Sequence, residues 1–74
     1  MTPAQRDAET LTYQVEDRAR KMVWLAGEIR RAVRAGNGAR TTELARAFRD
    51  QADACSSKAV EVSGLLNRPE EKHP

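Results

Sequence analysis

Cysteine and histidine are almost missing from this 74-residue chain. Cys55 is the one cysteine, so no internal disulfide and no cysteine-based zinc site can be assembled. His73 is the one histidine and cannot build an imidazole metal site alone. Neither a metal nor a cofactor is therefore expected. Aromatic residues are equally scarce: Tyr13, Trp24 and Phe48 make up 4% of the chain. Long apolar runs are absent too. The longest, Met22–Gly27, is bounded by Lys21 and Glu28 and falls far short of the roughly 20 residues of a membrane span. No signal-peptide pattern is visible, and a soluble cytoplasmic protein without a membrane role is expected. Catalytic constellations are missing as well. Cys55 falls on an apolar stripe as a small buried residue, the carboxylates are scattered among arginines, and Gly36-Asn37-Gly38 is too short for a phosphate loop. The chain is not expected to be an enzyme.

Proline is confined to Pro3, Pro69 and Pro74, which leaves the interior free for long helices. Thr2-Pro3-Ala4-Gln5 has the form of a capping box, with Thr2 as N-cap and Pro3 in the first helical position. Gly36 suits a left-handed C-cap, and Ala35-Gly36-Asn37-Gly38-Ala39 is the one internal turn signal. Thr41 or Thr42 can cap a second helix, with Glu43 in its first turn. That helix runs to about Asn67, where Pro69 disfavours continuation; Ser63-Gly64 offers an earlier stop. The reading is a helical hairpin over 1–67, with helix 1 about 3–35, a turn at 36–40 and helix 2 about 41–67, followed by a disordered tail at 68–74.

The apolar pattern has heptad spacing in both halves. Helix 1 carries Ala4, Ala8, Leu11, Val15, Arg18, Met22, Leu25, Ile29 and Ala32, widened on one side by Thr12, Ala19, Ala26 and Val33. Helix 2 carries Leu44, Phe48, Gln51, Cys55, Lys58, Val62 and Leu65, widened by Ala45, Ala52, Ala59 and Leu66. Folding at the turn sets Ile29 by Phe48, Leu25 by Ala52, Met22 by Cys55, Val15 by Val62 and Leu11 by Leu66. Arg18 and Lys58 then share one level and are expected to snorkel outward. The fold class is all-α: an antiparallel, coiled-coil-like two-helix hairpin forming a rod about 50 Å long. Two helices cannot surround their own stripes, so the hairpin is expected to dimerise into a four-helix bundle.

Charge is unevenly spread. Residues 1–17 hold one arginine against four carboxylates, residues 18–49 hold nine basic against two acidic residues, and residues 50–74 hold three against five. The turn end is basic and the open end acidic. Arg30, Arg31, Arg34 and Arg40 crowd the tip as candidate phosphate contacts, but no aromatic lies beside them to stack a base. A small nucleic-acid-binding regulator is therefore the second reading. The first is a non-enzymatic protein interaction module, a self-associating adaptor or regulator that presents a surface to a larger protein.

Its candidate interface is the back of helix 1. Trp24 lies about 150° from the centre of the seam, and Tyr13 also points away. The outer stripe reads Tyr13, Asp17, Arg20, Trp24, Glu28 and Arg31. Two copies of helix 1 packed antiparallel about Trp24 would pair Arg20 with Glu28 and Asp17 with Arg31, which makes a homodimer the expected partner. The alternatives are intrahelical pairing, such as Asp17–Lys21 and Glu16–Arg20, and capture of a different protein by Trp24.

Overall fold

The computed structural model describes residues 1–67; the tail expected at 68–74 lies outside them. Two helices pack side by side: α1, Pro3–Arg34, and α2, Gly38–Leu66. Helix α1 starts with the capping box read from the sequence. The Thr2 hydroxyl accepts from the Gln5 amide at 3.1 Å, and the Gln5 side chain accepts from the Thr2 amide at 2.8 Å. It ends in a Schellman arrangement. The Gly36 amide donates to the Val33 carbonyl and the Asn37 amide to the Ala32 carbonyl. Gly36 adopts φ +68°, the left-handed region that a side chain at this position would strain.

Helix α2 begins at Gly38 rather than near Thr41. Its N-cap is Asn37, whose side-chain oxygen accepts from the Arg40 amide at 3.0 Å. Thr41 lies inside the first turn, where its hydroxyl donates to the Asn37 carbonyl. Asn37 thus closes α1 with its backbone and opens α2 with its side chain.

The seam follows the two lines read from the sequence. From Ala4 to Ala32 every member of the α1 line is buried or half-buried, as is every member from Leu44 to Leu65 in α2. Fully buried side chains are few. Leu25, Ala32 and Leu44 form a cluster against which Ile29, Ala47 and Phe48 pack, and Ala8 is buried nearer the open end. The Cys55 thiol is half-buried, 3.9 Å from Met22 Sδ and 3.8 Å from the Val15 carbonyl. The Met22–Cys55 pairing is therefore present, whereas Ala52 is not part of the Leu25 cluster. Leu66 is half-exposed, and Leu65 takes the seam position at the open end. The widening positions Thr12, Ala19, Ala26 and Val33 stay exposed. The hairpin extends 62 × 18 × 10 Å, a single layer two helices wide.

Candidate protein interface

The helical repeat brings the outer stripe together on one face of α1. Tyr13 and Trp24 are each 60% exposed and stand three turns, about 16 Å, apart. Between and beyond them lie two ion pairs, Asp17–Arg20 at 2.9 Å and Glu28–Arg31. These join residues three apart, not Asp17 to Lys21 or Glu16 to Arg20. The solvated Asp17–Arg20 pair contributes only a few tenths of a kcal/mol, about 0.2–0.5, so a partner's charges can replace it at small cost; Glu28 is half-buried, with its side chain 22% exposed. Trp24 is left as a broad apolar surface with an acid–base pair on either side.

The stripe belongs to α1 alone. A two-fold contact through Trp24 would set the two α1 helices together with each α2 outside, a flat layer rather than a bundle with a common core. A four-helix bundle needs a face to which both helices contribute.

At the tip, the four arginines are not equivalent. Arg31 is held by Glu28 and Arg40 by Glu43. Arg30 and Arg34 are exposed and carry no ion pair among the described residues. The structure thus leaves two free cations of the expected four.

A feature that periodicity alone did not reveal lies midway along the rod. Gln14, Asp17, Arg18, Arg20, Lys21 and Lys58 line an open groove of about 460 Å³. Arg18 does not snorkel outward. It is half-buried and donates from Nη1 to Gln51 Oε1 of α2 at 3.1 Å, which gives the partly desolvated guanidinium a polar partner across the seam. The signal was the coincidence of two polar breaks at one level of the seam; what it could not show was that Arg18 bridges the helices.

Among the described residues there is no cluster of metal-ligating side chains, no helix long and apolar enough to cross a membrane, and no buried side-chain polar atom without a hydrogen-bond partner. No protein family, characterised protein or solved structure matches the chain.

Proposed function

We propose that the chain is a non-enzymatic helical interaction module of the cytoplasm, a small adaptor or regulator that self-associates into a four-helix bundle and offers the Trp24 face of α1 to a protein partner. The observation that carries this reading is the exposure of Trp24 and Tyr13, 60% each, on the face of α1 turned away from the seam. An indole left in water forgoes a large burial energy, and tryptophan is enriched among the residues that dominate interfaces. The bracketing Asp17–Arg20 and Glu28–Arg31 pairs give orientation rather than affinity.

The experiment is covalent capture from source lysate with wild type, Trp24→Ala and a tip variant, Arg34→Glu, in parallel. Trp24→Ala should keep its helical circular dichroism and lose the captured species, a loss of about 2 kcal/mol or more in binding. The tip variant should retain it. Capture that is indifferent to Trp24 rejects the reading.

A second reading rests on Arg30 and Arg34, exposed at the tip and without carboxylate partners among the described residues. They would engage nucleic-acid phosphates without reading bases. Affinity for duplex or single-stranded probes that falls steeply with salt, and vanishes in the tip variant, would favour it over the apolar interface.

A further inference from the structure

We propose that a second copy of the chain covers the flank shared by α1 and α2, closing an antiparallel bundle with the two tips at opposite ends. This rests on the self-associating reading above but assigns the contact to a surface other than the Trp24 face.

The flank follows from the helix repeat. In α1 the exposed Thr12, Ala19 and Ala26 each precede a seam residue, Val15, Met22 or Ile29, by three positions, and Val33 continues their seven-residue row. In α2, Ala45, Ala52 and Ala59 precede Phe48, Cys55 and Val62 by the same three positions, and Leu66 continues that row. Each row is therefore turned about 60° from its seam in the same rotational sense. Because the helices run in opposite directions, one rotational sense carries both rows to the same side of the hairpin. On the opposite side Gln14 and Lys21 of α1 share a polar groove with Lys58 of α2, and the α2 residues there, Ala47 and Ala54, are already half-buried.

The shared side is apolar and open. Val33 is 60% exposed and Leu66 51%, and Val23, at the outer edge of the α1 row, is 75% exposed. Alanine and threonine elsewhere keep it flat enough for helix axes to approach within about 8–10 Å. A face about 45 Å long, from 30 residues of helix, and as wide as the 18 Å hairpin covers on the order of 800 Å², the contribution of each partner to a stable interface.

Charge chooses the second copy and its direction. Along the outer edge of α1 the seven-residue row Glu9, Glu16, Val23, Arg30 runs from acidic at the open end to basic at the tip. A copy laid tip to open end sets Glu9 against Arg30 of its mate, and Arg30 against Glu9. A copy laid tip to tip would set one arginine cluster beside the other. The antiparallel arrangement places Ala19 against Ala19 and Ala52 against Ala52 near the two-fold axis. It also brings Leu66 of the second copy level with Gly38, over the shallow hollow lined by Val33, Gly38, Thr41 and Thr42. The half-exposed leucine at one end thus meets an unfilled depression at the other.

The test is sedimentation of the whole chain at tens of micromolar, with variants that leave the seam alone. Wild type should sediment as a dimer. Ala19→Glu, at an exposed helical position, should retain helical circular dichroism and weaken association about tenfold or more, because it sets like charges together on the axis. Trp24→Ala should remain dimeric. In a Cys55→Ser background, Ala19→Cys should cross-link readily to itself on mild oxidation, while Ala26→Cys should require a Thr12→Cys mate. A dimer that survives Ala19→Glu but dissociates with Trp24→Ala overturns this placement and leaves self-association standing. A wild-type monomer at these concentrations overturns both.

Discussion

Leu25 is one of the two leucines at the centre of the hairpin's buried cluster. It is 7% exposed and shares its cluster with Ala32 and Leu44, while Ile29, Ala47 and Phe48 pack around them. Truncating a buried leucine to alanine costs about 2–5 kcal/mol, with the spread set by how far the cavity can collapse. Here Ile29 and Phe48 are only partly buried and can shift into the gap, so Leu25→Ala should cost about 2–3 kcal/mol, the lower part of that range. For a domain of this size such a loss lowers the melting temperature by on the order of 10–20 °C. Ile29→Ala, at a half-buried position, should cost less, about 1–2 kcal/mol. Exposed Arg6→Ala should stay within about 0.5 kcal/mol of wild type. The assay is urea unfolding followed by circular dichroism, with all variants at one protein concentration so that association contributes equally. If Leu25→Ala and Arg6→Ala unfold at the same urea concentration, the seam is misassigned.

Two glycines should respond in opposite directions. A Cβ built on Gly27 meets nothing within 4 Å, and the residue sits inside α1, so Gly27→Ala should raise stability by about 0.5–1 kcal/mol in the same unfolding assay. Gly36 also has open space around it, but its φ is +68°; Gly36→Ala should therefore lower stability by about 1–2 kcal/mol, from backbone strain and not from a clash.

The two seam lines were legible in the sequence, because burial against one neighbour imposes a strict period on each helix; Ala47, which packs on the Leu25–Leu44 cluster, and half-buried Ala54 lie off those lines, while the widening row of α1 stays exposed. The capping box at Thr2 was legible for a similar reason: its partners are three residues apart and need no tertiary context. Asn37 was harder. Asparagine beside glycine reads as turn punctuation, and nothing local shows that its side chain caps the next helix while Thr41 turns inward. The position of Arg18 depends on Gln51 across the hairpin, a contact that periodicity within one helix cannot supply. Tyr13 and Trp24 stood out only as aromatic side chains off the seam line of the helical wheel. That the two widening rows share one side follows from the antiparallel direction of α2, which the single internal turn had already implied.

The double use of Asn37 bears on the order in which the hairpin assembles. Only Ala35, Gly36 and Asn37 separate the helices, so Ala32 and Leu44 can meet after closing a short loop, at modest entropic cost. Each further turn then adds a contact whose effective loop is already closed by the one before it. Assembly should run as a zipper from the tip to the open end, fast because its contacts are local in this progressive sense. Substitutions near Gly36 and Leu44 would slow folding, whereas those near Leu11 and Leu65 would mainly hasten unfolding. Amide protection in the folded chain should grade the same way, greatest beside Leu25 and Leu44 and fading toward Ala4 and Leu65 as the open end frays.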